Sequence, residues 1–167
     1  WAAKPWNNQL SASFVRSDGY LRNKKGGLNA DFRAIKAFYQ GRFDNEKLAL
    51  QWHSGISVKD FGANTFYSSK YDDQFEHVLK LSTALQGENK RGFLRFRPAL
   101  YWQRTTDRFE LFRNAPDKYP YNYHLTDVLG ANLNAYFDWL LGRTAFGASD
   151  RYEHIRSTNL GDALSKA

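Results

Sequence analysis

The sequence has no cysteine and no methionine among its 167 residues. Without cysteine, the chain can form no disulfide bond, thiolate metal site or cysteine nucleophile. Because it begins at Trp1 and has no methionine, we expect it to be an excised or processed piece of a longer protein. It also lacks any run near the roughly 18 apolar residues that a membrane-spanning helix needs, which excludes a helical membrane protein.

Aromatic residues are plentiful although the chain is polar overall. Phe, Trp and Tyr make up 17% of the residues, hydrophobic residues only 42%, and the mean hydropathy is −0.68. The 24 Lys and Arg residues outnumber 17 Asp and Glu, for a net charge of +7. A disordered chain is excluded, because disordered segments are poor in aromatic residues.

The apolar residues recur with a period of two. In residues 92–104, Leu94, Phe96 and Leu100 fall on one side, and Arg95 and Arg97 on the other. This alternation predicts a strand with one apolar and one polar face. Pro98 predicts a local bulge in it, because proline cannot donate a ladder hydrogen bond. Six further strands are predicted, at residues 8–16, 31–40, 48–59, 78–86, 129–138 and 143–148. In residues 31–40 the facing is ambiguous, since Ala37 and Tyr39 compete with Phe38 for the outside.

The connections between these strands alternate in length. Long segments cover residues 17–29, 60–74 and 105–121, and short ones cover residues 44–46, 87–90 and 140–142. Outer-membrane barrels have this asymmetry, with short periplasmic turns and long extracellular loops. The polar sides carry Gln51, His53, Lys80, Arg95, Arg97, Asn132, Asn134 and Asp138, which suits a polar lumen. Aromatic residues near strand ends predict interface girdles, namely Phe43, Trp52, Trp102, Phe137 and Trp139.

These patterns predict an all-β fold, an antiparallel up-and-down transmembrane β-barrel segment of roughly seven to eight long strands. Residues 1–167 would form a single partial β-barrel domain. Two alternatives stay open. One is a complete small eight-stranded outer-membrane barrel with a structural or adhesive role. The other is a soluble lipocalin-like ligand-binding barrel, in which the apolar side chains would converge on a closed core.

Several short motifs resemble one receptor family in their order and spacing. They are residues 18–20 (DGY), 61–68 (FGANTFYS), 98–102 (PALYW), 107–111 (DRFEL), 122–124 (NYH), 151–155 (RYEHI) and 157–161 (STNLG). Together they look like the middle of the barrel of TonB-dependent outer-membrane receptors, particularly the cobalamin-receptor-like group of Bacteroidetes-type bacteria. Members of the family have an N-terminal plug domain, a TonB box and a larger barrel. The chain shows neither plug nor TonB box, so the resemblance implies a mid-barrel fragment.

The resemblance also implies a function, a place and partners. The parent receptor would import a scarce large nutrient, such as a corrinoid or a siderophore-type iron chelate, across the bacterial outer membrane. Partners would be outer-membrane lipid and lipopolysaccharide, the plug domain and the rest of the barrel, TonB, and the nutrient itself. Ligand contacts would come from Asn64, Phe66, Tyr67, Tyr101, Trp102, Tyr121 and Tyr123. The alternative is that tyrosines such as Tyr67, Tyr71 and Tyr121 only form a girdle or pack the loops.

Other kinds of site have weak support in the sequence. The four histidines lack metal-ligand spacing, so no metal site or cofactor is expected. Asp72, Asp73 and Glu76 fit a solvated acidic patch better than a calcium loop. No enzyme motif is present, and no nucleic-acid binding is expected. Lys24 and Lys25 are instead predicted to lie in a long loop, where they can meet lipopolysaccharide phosphates.

Overall fold

The structure is a computed structural model that describes residues 2–3, 5–19 and 29–159. These residues form a single antiparallel sheet in which each strand pairs with the next along the chain. The strands are β1 (Ala2–Ala3), β2 (Trp6–Ser17), β3 (Phe32–Asp44), β4 (Leu48–Asn64), β5 (Gln74–Asn89), β6 (Arg95–Glu110), β7 (Asn122–Trp139) and β8 (Gly142–Ser157). The predicted all-β, up-and-down architecture is confirmed, with seven long strands and the short β1. In the described part of the chain the sheet does not close on itself, because β8 pairs with β7 alone.

Short turns join the strands at one end of the sheet, which we call the short-turn end. The Asn45 side-chain oxygen accepts hydrogen bonds from the amides of Lys47 and Leu48, both at 2.8 Å. This is the local bonding by which asparagine stabilises turns. The tightest turn, at residues 140–141, is followed by Gly142 with a φ of 142°, a conformation that favours glycine.

The opposite end, the long-loop end, carries the connections of residues 18–31, 65–73 and 111–121. The predicted alternation of long and short connections is therefore confirmed. Tyr20, Lys24, Lys25, Leu160 and Gly161, which the sequence analysis singled out, lie outside the described residues. No helix in the described ranges is long and apolar enough to cross a membrane.

The strand register separates the two faces. Paired residues share a face, and one continuous row runs Phe14, Ile35, Val58, Leu79, Thr106, Leu125 and Arg156. We call this side the apolar face, since it also holds Phe96, Leu100, Leu129 and Leu133. The other side, the polar face, carries Gln51, Lys80, Arg97 and Asn134. All five predicted girdle aromatics lie on the apolar face.

The apolar face is not covered by a second layer of structure. Only Ala49, Ala63, Phe75 and Ala135 are buried apolar residues in the part of the chain that the structure describes. Leu100 remains 57% exposed and Leu129 54% exposed, although both lie in the middle of long strands. A water-soluble sheet ordinarily buries one face against another element. These residues do not make up the closed apolar interior that a lipocalin-like barrel needs.

Three details of the sequence prediction need correction. Pro98 causes no bulge, because the pairing with β7 runs through it unbroken, whereas the pairing with β5 already ends at Ala99. The missing amide hydrogen of Pro98 therefore costs no hydrogen bond between β6 and β5. The register shift that does occur lies between Gly62 and Asn64. The strands also extend further than predicted, to Asn64 in β4 and Glu110 in β6, beyond the stretch where the alternation is visible.

Candidate functional site

A network of polar contacts joins the three long connections. Arg113 donates to both carboxylate oxygens of Asp31, at 2.6 and 3.0 Å, and to the Asn29 side-chain oxygen at 3.1 Å. The Asn29 amide nitrogen in turn donates to the backbone carbonyls of Asp72 at 2.9 Å and Gln74 at 2.6 Å. The Arg113 guanidinium also lies 4.4 Å from the centre of the Phe75 ring. Residues from all three connections are thus held in one arrangement.

The charges in this network stabilise each other. The hydrogen bonds from Arg113 lower the pKa of Asp31, against the opposing effect of partial burial. The same bonds raise the pKa of Arg113. A carboxylate held by a bidentate guanidinium favours its ionised form. The pair is therefore charged at neutral pH and fixes the position of the loop of residues 111–121.

A second group of side chains lies on the polar face at the same end. The Tyr67 hydroxyl hydrogen-bonds to the Glu76 carboxylate, and the Tyr67 ring stands edge-on to Phe109 at 5.4 Å. Burial, together with this carboxylate, raises the pKa of Tyr67. Glu76 is itself 9% exposed, so the prediction of a solvated acidic patch is wrong for this residue. Tyr67 therefore closes over a buried carboxylate on the polar face.

A register row continues this polar group across three strands. Asp107 pairs with His124, and His124 pairs with Ser157. The Ser157 hydroxyl lies 2.6 Å from His124 Nδ1, while one carboxylate oxygen of Asp107 is buried without a hydrogen-bond partner. A buried acceptor without a partner is uncommon and is normally satisfied by water or a bound group. The row can thus offer hydrogen bonds to a polar molecule on this face.

The predicted contact residues divide between the two faces. Phe66 and Tyr67 pack together at 4.9 Å, and Phe66 is 80% exposed in the loop of residues 65–73. Tyr121 and Tyr123 lie on the side of the apolar face, beside Arg108. The Arg108 guanidinium is 5.7 Å from the centre of the Tyr121 ring, and Arg108 pairs with Tyr123 in the register. Asn64 ends β4 with a φ of 44°. Phe66 and Tyr67 are therefore the predicted residues that the structure brings together at the polar side of the loops.

Tyr101 and Trp102 lie in the middle of β6, not at its long-loop end. Tyr101 is on the polar face and its ring covers Gly130, where a Cβ atom would collide with it. Trp102 is on the apolar face and donates from its indole nitrogen to Asp127 at 3.2 Å. The two neighbours therefore point to opposite sides, and neither contacts the loop network.

Sequence reasoning missed Asp107, His124 and Ser157 as one group. The alternation visible in residues 92–104 would have placed Asp107 on the side of Arg95 and Arg97 if it had been extended beyond Arg104. Asp72 and Asp73 instead contribute backbone carbonyls to the loop network. Among the described residues, no group of three or more His, Asp or Glu side chains is arranged to hold a metal ion. No protein-family model and no curated protein matches this sequence.

Proposed function

We propose that the chain forms part of the barrel wall of a TonB-dependent receptor in a bacterial outer membrane. The observation that carries the proposal is the uncovered apolar face of a single-layer sheet whose long connections all lie at one end. Lipid would take the place of the missing second layer, and the polar face would line the lumen. Wall and loops, not chemistry, would be the contribution of this segment to the receptor.

The height of the apolar face agrees with this proposal. On β2 it extends from Trp6 to Phe14, and on β7 from Leu129 to Trp139. With a rise of about 3.4 Å per residue and a tilt of about 40°, these stretches are about 21 and 26 Å tall. The apolar band of outer-membrane barrels is about 25 Å tall.

The edge of the apolar band supports a tilted arrangement of the strands. On β2 to β5 the first ionisable residues above the band share one register row, namely Arg16, Arg33, Asp60 and His77. On β6 and β7 the first ionisable residues above the band are Arg104 and Asp127, which lie four residues nearer the short-turn end than that row. On β8 the first is Asp150, lower again by four residues. A flat membrane surface must cut different register rows on tilted strands, because barrel strands are staggered.

The nutrient is proposed from the resemblance together with the long-loop end. Phe66 and Tyr67 offer aromatic area beside a polar row that contains Asp107, His124 and Ser157. Tyrosine supplies large contact area with little loss of conformational entropy. This combination suits a large ligand with both apolar and polar parts, such as a corrinoid or an iron chelate.

The membrane part of the proposal can be tested with two adjacent positions. The chain has no cysteine, so Ile56→Cys on the apolar face and Ser57→Cys on the polar face each introduce a unique thiol. With a polarity-sensitive fluorophore on the full-length protein, free of any other cysteine and placed in vesicles, we expect brominated lipids to quench the label at position 56 and not at position 57. Equal quenching at both positions would contradict the assignment of the faces.

The transport part needs a cellular measurement. Deleting the coding segment for residues 1–167 in the producing bacterium should abolish energy-dependent uptake of the nutrient, tested separately with a corrinoid and a ferric chelate. Unchanged uptake of both, and unchanged growth on limiting amounts of either, would contradict the receptor proposal. Quenching at position 56 would then still support a barrel wall with a structural or adhesive role.

A further inference from the structure

A cavity of about 520 Å³ opens at the long-loop end across β5 to β8. The register places six of its lining residues on the apolar face, namely His77, Thr106, Arg108, Tyr123, Leu125 and Arg156. Leu79, at the top of the apolar band on β5, pairs with Thr106 in the same row. The cavity therefore begins at the edge of the apolar band on β5 and lies above that edge on β6 to β8.

Two arginines in this cavity have unused hydrogen-bonding capacity. The Arg156 guanidinium has no ion-pair or hydrogen-bond partner in the described part of the chain, and Arg156 is exposed. Arg108 binds Glu110 through Nη2 at 3.0 Å, but its Nε is buried without a partner. A buried donor without a partner carries a desolvation cost that a bound acceptor would remove.

The carboxylates on the apolar face beside the cavity are already paired, whereas Asp107, which also lines the cavity, belongs to the polar face. Glu110 is 1% exposed and also accepts from the Asn114 amide at 2.8 Å. Asp60 accepts from Arg33 at 2.6 Å and also contacts His77. Asp127 accepts a bidentate pair of bonds from Arg104 at 2.8 and 2.9 Å. On the apolar face, the cavity is therefore left with the positive charge of Arg156, which is paired with no carboxylate of the described residues.

We propose that this cavity binds the phosphate headgroup of an anionic membrane lipid, with Arg156 and Arg108 as its main ligands. The inference rests on the proposed membrane location of the apolar face. Arginine matches phosphate geometry through its planar fork of donors, and basic side chains just outside the hydrocarbon are attracted to anionic headgroups. The hydroxyls of Thr106 and Tyr123 supply further donors, and the acyl chains would extend down the apolar face over Leu79 and Leu129.

The test measures binding of a fluorescent phosphate-bearing lipid, diphosphoryl lipid A, to the full-length protein in zwitterionic detergent micelles. Arg156→Gln should weaken binding about fivefold, because one basic residue near the headgroup is lost. Arg151→Gln is the matched control, since it removes the same charge from the polar face of the same strand. Arg108→Gln should also weaken binding, with circular dichroism as the check that the strands remain.

Each outcome decides between explanations. Equal affinity of Arg156→Gln and the parent chain, or an equal loss in Arg151→Gln, would overturn the proposed site. Competition by inorganic phosphate at the concentration of the lipid would overturn a lipid as the occupant. The quenching measurement at positions 56 and 57 is independent of these results. If the protein inserts into vesicles but Arg156→Gln has no effect on lipid binding, only the lipid site is refuted. If the protein binds the lipid in micelles but does not insert into vesicles, only the barrel-wall proposal is refuted.

Discussion

An arginine placed at the centre of the apolar face should destabilise the protein in lipid. Leu133 lies on β7 midway between Asp127, which marks the upper edge of the band, and Trp139 at the short-turn end. Leu133 is six residues from each of them (133 − 127 and 139 − 133). At about 3.4 Å per residue and a strand tilt of about 40°, six residues span about 16 Å along the membrane normal. Leu133 is therefore close to the expected midplane of the membrane.

The expected cost follows from this depth. An arginine at the midplane of an outer-membrane barrel costs about 2–4 kcal/mol, and one near the interface about 0–1 kcal/mol. We therefore expect Leu133→Arg to lower the free energy of unfolding by about 3 kcal/mol. Leu129→Arg, beside the upper edge at Asp127, should cost about 1 kcal/mol. Asn132→Arg, on the polar face of the same strand, should change the free energy by less than about 0.5 kcal/mol.

The assay is urea unfolding of the full-length protein in phospholipid vesicles, followed by tryptophan fluorescence, with the three variants and the unmodified protein measured side by side. Linear extrapolation gives the free energy of unfolding of each. The decisive quantity is the order of the three values, since it depends on face and depth. Equal losses in Leu133→Arg and Asn132→Arg, or a larger loss at Leu129 than at Leu133, would refute the assignment of the apolar face to lipid.

Two further predictions concern the loop network and a packing contact. Because Arg113 lowers the pKa of Asp31, the ion pair stabilises the fold above the ordinary aspartate pKa of about 4, and this stabilisation is lost as the pH falls through the lowered value. Both side chains are partly exposed, so the stabilisation should stay below about 1 kcal/mol. The protection of the Arg113 amide, its exchange rate relative to the intrinsic rate at each pH, should therefore fall in acid. Asp31→Asn should remove this dependence of the protection on pH, whereas an unchanged profile in that variant would contradict the role of the pair. Gly130→Val should displace the Tyr101 ring and destabilise the protein by about 1–3 kcal/mol in thermal unfolding, while Ala131→Val on the opposite face should have little effect, and equal effects would contradict the packing argument.

Much of the fold could be read from the sequence because the period of two is strong where one face is apolar. The alternation identified all seven long strands and assigned the aromatic residues Trp52, Trp102 and Phe137 to the correct face. It failed near the long-loop end, where β4 and β6 extend to Asn64 and Glu110. There both faces carry polar residues, so the alternation no longer marks the strand.

The ambiguous facing of β3 was settled by its neighbour, which the local sequence does not show. Phe38 lies on the polar face opposite Gly55, and its ring is close to the position that a Cβ at residue 55 would take. Ala37 and Tyr39 consequently lie on the apolar face. An aromatic side chain that covers a cross-strand glycine stabilises a sheet in a way that residue-by-residue hydropathy misses. Tyr101 and Gly130 repeat the arrangement on β6 and β7.

The candidate site was less predictable because it depends on which strands are neighbours. Tyr67 could be chosen from its loop position, but its contact with Glu76 depends on how residues 65–73 fold back on β5. Asp107, His124 and Ser157 are far apart in the chain and meet only through the pairing of β6, β7 and β8. Histidine and serine without a local motif give the sequence no signal of such a row.

The two edge strands of the sheet carry unpaired backbone groups, which limits the surroundings in which the apolar face is stable. Within the described residues, β8 pairs with β7 alone, and the outer edge of β2 is covered only where Ala2 and Ala3 pair with it. Unpaired backbone groups cost several kcal/mol each in hydrocarbon, so a sheet with open edges is not tolerated there. In water, the exposed apolar face and the same edges would favour aggregation. In a membrane the edges of β2 and β8 must therefore be paired, either with each other in a small closed barrel or with the strands of a larger one.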